Sequence, residues 1–193
     1  MSTRTLRADA ERNRRRLIET AWAVFAERGL DAPLDEIARR AGVGNATLYR
    51  RFPQRRDLVG TLFVETLREV VAAAEDALAE PDPWRAFVDH LLFLGELQAG
   101  NRALAELLSA TMSEVDELDD LRDTAFDCLT ALIDRAKAAG VLRDDVDHAD
   151  IVLILMANAG LVERTAATAP TAWRRHLSYV LDGLARGTPP AQG

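Results

Sequence analysis

Two glycines interrupt a helical pattern near the start of this chain and constrain its fold more than any other feature. Before them, Pro33–Ala41 repeats apolar side chains at helical spacing and places its proline at the first helical position, where a missing N–H costs nothing. The segment Gly42-Val43-Gly44 ends that helix, because Gly42 readily takes the left-handed conformation that follows helix C-termini. Residues 45–52 predict a second short helix with Asn45 as its N-cap. This arrangement is typical of a helix-turn-helix motif.

The second of these helices combines an apolar inner face with a polar outer face. Leu48 and Phe52 lie four residues apart and would hold the inner face against the rest of the domain. The outer face carries small, hydroxyl-bearing and basic side chains, which suit a major groove lined by phosphates. These residues are Ala46, Thr47, Tyr49, Arg50, Arg51, Arg55 and Arg56. The alternative is an ordinary helical hairpin with a solvated basic face; the turn, cap, aromatic and basic residues together favour DNA binding.

The segment AGVGNATLYRRFPQRRDL, residues 41–58, resembles the signature of the TetR family of transcriptional regulators, A-G-V-S-x-G-T-L-Y-x-H-F-x-x-K-x-x-L. Residues 12–29 resemble the first helix of that family, and the longer stretch around the signature resembles a subgroup common in high-GC actinobacteria. This chain has Gly44 and Ala46 where serine and glycine are common, and Arg55 in place of lysine. The C-terminal part is similar to the family in length and helical rhythm.

The resemblance implies a homodimeric regulator that binds a palindromic DNA operator, most often a repressor that a small, mostly apolar effector releases. It places Thr47, Tyr49 and Arg55 against phosphates. It places Gly44, Asn45, Ala46 and Arg50 nearest the base edges. Arg51 completes the predicted contacts of this segment.

Charge is unevenly distributed along the chain, whose net charge is −7. Residues 1–58 carry 13 arginines and 8 acidic residues, a net charge of +5, and residues 59–193 carry 11 basic and 23 acidic residues, a net charge of −12. A basic head on an acidic body directs DNA to one end of the molecule. Arg14 and Arg15, in the first helix of the head, are expected to lie along the DNA backbone; a solvated helix end is the alternative.

Helical spacing continues through the rest of the chain and predicts an all-α fold of about nine helices without a sheet. We expect a helix-turn-helix DNA-binding domain over residues 10–70, a regulatory, ligand-binding and dimerisation domain over residues 71–188, and disordered tails at residues 1–9 and 189–193. The expected helices cover about residues 11–28, 33–41, 45–52, 55–79, 83–98, 101–112, 115–139, 147–167 and 170–186. The unbroken fourth helix would link the two domains mechanically.

The C-terminal bundle is a candidate receptor, because a helical bundle can hold an apolar cavity with a few polar groups. The candidate lining residues are Trp84, Phe87, His90, Phe93, Met112, Phe126, Met156 and Asn158. Each is also explained as plain core, and Asn158 also by a hydrogen bond across a dimer interface. The alternative function is a helix-turn-helix regulator without a small-molecule pocket, which a protein partner or dimerisation alone would control.

The segment 151–162 is apolar on nearly every side, so it needs cover on two faces. With the last predicted helix, it is expected to form a four-helix interface between two copies of the chain, as these helices usually do in the TetR family. The predicted interface residues are Ile151, Leu155, Leu177, Val180, Leu181 and Leu184.

Catalytic motifs are absent from the sequence. The three histidines, His90, His148 and His176, fall on different predicted helices, and the chain has no glycine-rich phosphate loop or nucleophile elbow. The single cysteine, Cys128, excludes an intramolecular disulfide, and its apolar neighbours predict a buried, inert thiol. We therefore expect neither an enzyme nor a cofactor or metal. The lack of a signal peptide or a membrane-length apolar run predicts a cytoplasmic protein.

Overall fold

The computed structural model describes residues 3–100 and 116–187, with side chains described over 12–100 and 118–187. Eight helices occupy these residues: α1 Thr3–Arg28, α2 Leu34–Ala41, α3 Asn45–Arg51, α4 Arg55–Ala79, α5 Pro83–Gly100, α6 Asp116–Ala138, α7 His148–Thr165 and α8 Ala172–Leu184. Within the described residues, an isolated antiparallel bridge between Leu142 and Ala185 is the only β-type pairing, so the predicted all-α fold is confirmed. The helix predicted at 101–112, and with it the candidate residue Met112, lies outside the described residues.

Several helix ends differ from the predicted ones. Pro33 is the N-cap of α2 and not its first helical residue. Its backbone angles are extended, and its carbonyl accepts the N–H of Glu36 at 3.1 Å. Gly44 is the N-cap of α3 in place of Asn45, because its carbonyl accepts the N–H of Thr47 at 2.8 Å. Later in the chain, α5 continues to residue 100. The last helix, α8, ends at residue 184, after which the backbone becomes extended.

The first compact unit contains residues 3–65 of the described chain. Gly29 ends α1 with a φ of 78°, and Gly42 ends α2 with a φ of 67°, as the sequence predicted for Gly42. The N–H of Val43 then donates to the carbonyl of Ala38 at 3.0 Å, which closes the end of α2 and turns the chain toward α3. The core of this unit includes Leu17, Ile18, Ala21, Val24, Phe25, Leu34, Ile37, Ala38, Ala41, Leu48, Phe52, Leu58 and Leu62.

The second compact unit contains residues 66–100 and 116–187 of the described chain, so α4 contributes to both units. Here α5 packs against α6, α7 and α8. The main core cluster consists of Phe87, Leu91, Leu129, Ile133, Ala136, Leu142, Val146, Ile151 and Leu181. A smaller cluster consists of Val162, Trp173 and Leu177.

A glycine inside α5 allows this helix to approach α8 closely. A Cβ atom added at Gly95 would lie 2.5 Å from Cδ1 of Leu177 and 2.7 Å from the ring of Trp173. Glycine in a helix interior costs about 1 kcal/mol relative to alanine, so the residue needs a packing reason, and the crossing of α5 and α8 supplies it.

Side chains close the ends of two helices in this unit. The guanidinium of Arg135, in α6, donates to the carbonyls of Leu78, at 2.9 Å, and Pro81, at 3.0 Å, just where α4 ends. Asp147 and Asp150 form a reciprocal capping box at the start of α7, with N–H to carboxylate distances of 2.9 and 3.1 Å. None of the described helices combines the length and the apolar character that a bilayer crossing requires.

Candidate nucleic-acid interface

Helix α3 is anchored on one face and open on the other. Leu48 is fully buried and Phe52 nearly so, as predicted for its inner face. Thr47 is partly buried, at the edge of the outer face. The residues exposed to solvent are Gly44, Asn45, Ala46, Tyr49, Arg50 and Arg51, and we call this set the α3 face. The local order of glycine, cap and apolar residues therefore presents a polar surface on a rigid helix.

Three predicted DNA-contacting arginines carry uncompensated charge. Arg15, Arg50 and Arg51 are exposed, and none of them forms an ion pair with a residue in the described part of the chain. A guanidinium without an acidic neighbour can bind a phosphate without first giving up an intramolecular partner. The α3 face and one point on α1 thus offer positive charge to a polyanion.

Two other arginines of α1, Arg14 and Arg16, have partners within the chain. Arg14 was predicted to contact DNA, and the structure pairs its Nη1 with a carboxylate oxygen of Glu65 at 2.8 Å. Both side chains of this pair are partly buried, so the pair ties α1 to α4. The Nη2 of Arg16 donates to the carbonyl of Ala41 at 2.9 Å and satisfies the exposed C-terminal end of α2. A phosphate contact by Arg14 remains a prediction.

Two residues with predicted phosphate contacts also have partners within the chain. The Nη1 of Arg55 donates to the carbonyls of Leu30 and Ala32, the second at 2.7 Å, and so holds the loop between α1 and α2. The hydroxyl of Tyr49 donates to Oδ1 of Asp35 at 3.1 Å. That hydrogen bond raises the pKa of Tyr49, and the positive charge of Arg55 acts in the opposite direction. The bonds of Arg55 join α4 to the α1–α2 loop, and the bond of Tyr49 joins α3 to α2.

The two arginines of α2, Arg39 and Arg40, are paired with acidic residues. The carboxylate of Glu36 accepts hydrogen bonds from Arg40 at 2.9 Å and from Arg39 at 3.1 Å. Arg40 also donates to Glu27 of α1 at 2.7 Å. The bond from Arg40, followed by that from Arg39, lowers the pKa of Glu36. The positive charge that remains available to a ligand therefore lies mainly on the α3 face.

Two family models match this chain in the regions of these two units. Residues 17–62 match the model described as bacterial regulatory proteins of the tetR family. Residues 82–186, more than half of the chain, match the model of the C-terminal domain of SbtR-like transcriptional regulators. The chain belongs to the TetR family. The family that the α3 segment predicted is thereby confirmed, and the chain is a DNA-binding transcriptional regulator, not an enzyme.

Solved TetR-family structures agree with this assignment over nearly the whole chain. A TetR transcription regulatory protein from Mycobacterium vanbaalenii is 32% identical, with 93% of this chain and 99% of that chain covered and a TM-score of 0.66. A TetR transcriptional regulator from Streptomyces coelicolor is 33% identical, with 91% and 99% covered and a TM-score of 0.66. FadR from Bacillus subtilis, solved in complex with stearoyl-CoA, is 19% identical, with 88% and 98% covered and a TM-score of 0.65, a likeness of fold alone.

In the second compact unit, the predicted effector-binding residues fall into a buried and an exposed group. On α5, Phe87 and His90 are buried, and their rings lie 5.9 Å from that of Trp84 and 6.3 Å from that of Phe93, respectively. By contrast, the two predicted apolar side chains from α6 and α7, Phe126 and Met156, are 49% and 63% exposed. The ring of Phe126 instead lies 4.0 Å from that of His148. The structure therefore brings the α5 aromatics together and leaves Phe126 and Met156 at the surface.

The predicted polar residue of α7 has a buried partner that sequence reasoning missed. Nδ2 of Asn158 donates to Oε1 of Gln98 at 2.9 Å, and Nε2 of Gln98 donates to the carbonyl of Leu155 at 3.0 Å. The signal for Gln98 was its position seven residues after Leu91, which places both on one face of α5. Asn158 thus uses its amide hydrogens within the chain and not, in this structure, across an interface.

Three buried side-chain atoms in this unit have no hydrogen-bond partner among the described residues. They are Oδ1 of Asn158, Nδ1 of His90 and Oγ1 of Thr130. An unpaired buried polar atom costs about 1–3 kcal/mol, so each would be stabilised by a hydrogen-bond partner from a bound molecule. Burial lowers the pKa of His90 to about 4, which keeps the imidazole neutral near pH 7.

The predicted dimer-interface residues are all buried or partly buried within the protomer. Ile151, Leu177 and Leu181 are buried inside the protomer, and Leu155, Val180 and Leu184 are partly buried. The large exposed apolar side chains on these two helices are their neighbours Val152, Leu153, Met156 and Tyr179. An all-round apolar helix shows that two faces need cover, but it does not show which face meets the protomer's own core.

The single cysteine of the chain is less buried than the sequence predicted. Cys128 is partly buried, and its desolvation, followed by the negative charges of Glu75 and Asp127, raises the pKa of the thiol. A raised pKa keeps the sulfur protonated and therefore weakly nucleophilic.

Proposed function

We propose that this TetR-family protein is a ligand-responsive repressor that binds a palindromic operator as a homodimer and is released by a small, mostly apolar effector. It would act in the cytoplasm, where operator DNA is found. The observation that carries the proposal is the α3 face, on which Arg50 and Arg51 remain exposed and unpaired within the described chain, while Leu48 fixes the opposite side of the helix. Such a helix fits a major groove, with arginine available for guanine edges or phosphates.

The proposed DNA contacts of individual residues follow from the resemblance to the TetR family and from the exposure of each side chain. Gly44, Asn45, Ala46 and Arg50 are exposed, in keeping with their proposed position beside base edges. Thr47, Tyr49 and Arg55 are proposed to contact phosphates, with Arg14, Arg15 and Arg51 adding charge along the backbone. In a two-fold dimer the two α3 helices would enter successive major grooves, about 34–36 Å apart.

The dimer is proposed to form through α7 and α8. Val152, Leu153 and Met156 leave an apolar strip on α7, which a second copy of the chain would cover. The six residues Ile151, Leu155, Leu177, Val180, Leu181 and Leu184 would support this interface, the buried ones from inside the protomer. Leu153→Glu should then produce a monomer in sedimentation-velocity experiments, whereas a dimer of unchanged affinity would place the interface elsewhere.

The effector is proposed to bind in the second unit, beside the aromatic side chains of α5 and the unpaired acceptors of His90 and Asn158. The fold shared with FadR, whose crystals contain stearoyl-CoA, supports an apolar effector class. Trp84, Phe87 and Phe93 would supply apolar surface. Met112 and Phe126 remain predicted lining residues, whereas the exposed Met156 is assigned to the dimer strip instead. An effector can release DNA only through unequal affinity for the two states, and a coupling of about 3 kcal/mol would weaken operator binding about 150-fold.

The experiment is selection of bound duplexes from a random pool, followed by titration of the enriched site in the presence of candidate effectors. We expect an enriched sequence with two-fold symmetry and release by at least one apolar compound that also raises the melting temperature of the free protein. An enriched site without two-fold symmetry would contradict the dimeric mode. Compounds that stabilise the protein without changing operator affinity would contradict the ligand-responsive mode.

A further inference from the structure

An acidic residue stands directly beside the α3 face. Asp35, in the first turn of α2, is exposed, and its Oδ1 lies 3.1 Å from the hydroxyl oxygen of Tyr49. Tyr49 itself is 44% exposed and belongs to the surface that offers Arg50 and Arg51 to solvent. A negative charge therefore sits at the edge of the only surface of α3 that a nucleic acid can reach.

The hydroxyl of a tyrosine has one proton to donate. In this structure that proton is directed to a carboxylate, which accepts hydrogen bonds but cannot donate one when ionised. A phosphate oxygen is also an acceptor only, so a phosphate and Asp35 cannot share the single proton of Tyr49. Binding of a phosphate at Tyr49 requires the tyrosine to leave Asp35, and the carboxylate would also repel the phosphate.

An arginine whose charge acts on Tyr49 is held by hydrogen bonds to other residues. Arg55 lies close enough to influence the ionisation of Tyr49, but one of its terminal nitrogens donates to the carbonyls of Leu30 and Ala32. Within the described chain, the hydrogen bonds of Asp35 include no bond from an arginine. Its charge is therefore not cancelled by a direct ion pair, in contrast to Glu36 next to it.

We propose that Asp35 limits the affinity of this protein for DNA by holding the proton of Tyr49 away from phosphates. The inference rests on the proposed binding of DNA by the α3 face and adds a residue that opposes it. Because phosphate contacts carry no sequence information, the limit applies to operator and unrelated DNA alike. Asp35 thus sets the strength of binding and leaves the choice of sequence to the other residues of the face.

The experiment measures fluorescence anisotropy of two labelled duplexes, the selected operator and a scrambled duplex of the same length and composition. Asp35→Ala removes both the acceptor and the charge, and Asp35→Asn keeps an acceptor and removes the charge. Each is made in the wild-type chain and in Tyr49→Phe. Asp31→Asn, at an exposed acid in the α1–α2 loop, is the control for loss of one negative charge. Circular dichroism verifies that each variant is folded.

We expect Asp35→Ala to tighten binding to both duplexes by the same factor, about three- to tenfold, with a smaller gain for Asp35→Asn. In the Tyr49→Phe chain, the gain should fall to that of Asp31→Asn. Unchanged or weaker binding by Asp35→Ala, or an equal gain with and without the tyrosine hydroxyl, would overturn the inference. A wild-type protein that binds neither duplex would overturn the proposed function itself, so the two failures are distinguishable.

Discussion

The amide of Asn158 donates to the side-chain carbonyl of Gln98 across a distance of 2.9 Å, and both side chains are buried between α7 and α5. Gln98 also donates to the carbonyl of Leu155, so the pair fixes how these two helices meet. A buried polar pair of this kind stabilises only while both members are present, because either one alone is left unpaired in an apolar environment.

We therefore predict strong coupling between these two positions. Gln98→Leu and Asn158→Leu should each lower the free energy of unfolding by about 1–3 kcal/mol, because each leaves a buried amide without its partner. The loss in free energy of unfolding in the double variant should be clearly smaller than the sum of the two single losses. Urea titrations of the four proteins give the coupling energy, and strictly additive losses would show that the hydrogen bond contributes nothing.

A second prediction concerns the crossing of α5 and α8. Gly95→Ala should destabilise the protein by about 1–3 kcal/mol, because the added methyl group overlaps Leu177 and Trp173 and outweighs the gain in helix propensity. Gly100→Ala in the same helix is the control, because nothing lies within 4 Å of a Cβ at that position. A Gly95→Ala protein that melts at or above the wild-type temperature would show that α5 can move away from α8 at little cost.

The helix-turn-helix could be predicted from the sequence because its signals are local. Gly42 ends α2 in the left-handed conformation, and Leu48 and Phe52 bury the inner side of α3, all within about a dozen residues of chain. The exact caps, at Pro33 and Gly44, differ by one residue because carbonyl geometry decides a helix start, and residue type only biases it.

Partners that depend on tertiary packing could not be predicted in this way. Arg14 and Arg55 carry the charge expected of DNA contacts, but Glu65 and two loop carbonyls, respectively, lie within reach of them in the folded chain. Likewise, the all-round apolar pattern of α7 could not distinguish Ile151, which is buried, from Leu153, which is exposed. Sequence spacing gives the face of a helix, and the fold decides what that face meets.

A third prediction follows from the burial of His90, whose pKa is lowered to about 4. In the unfolded chain this histidine has an ordinary pKa of about 6.5 and binds a proton more readily than in the folded protein. The free energy of unfolding therefore decreases as the pH falls from about 6.5 to about 4. We expect His90 to remove about 2 kcal/mol of stability between pH 7.5 and 5. His90→Leu should lose this part of the pH dependence. Equal slopes of unfolding free energy against pH for the two proteins would contradict it.

A fourth prediction tests the arginine that closes α4. Arg135→Lys should lower the melting temperature nearly as much as Arg135→Ala, because a single ammonium group cannot reproduce the fork that reaches the carbonyls of Leu78 and Pro81. Arg122→Ala, which removes an exposed pair with Asp119 in the same helix, should have little effect. Full retention of stability in the lysine variant would show that charge alone is sufficient at position 135.

The measurement that tests the central claim most directly is operator binding by Arg50→Ala, compared with Arg85→Ala as a control of equal charge on α5. Both arginines are exposed, but only Arg50 belongs to the α3 face. In an anisotropy titration on the selected palindrome, we predict that Arg50→Ala loses about 1–3 kcal/mol of binding free energy and relaxes the preference at one base position, whereas Arg85→Ala binds as the wild type does. Equal affinities and unchanged base preference for wild type, Arg50→Ala and Arg85→Ala would contradict the account.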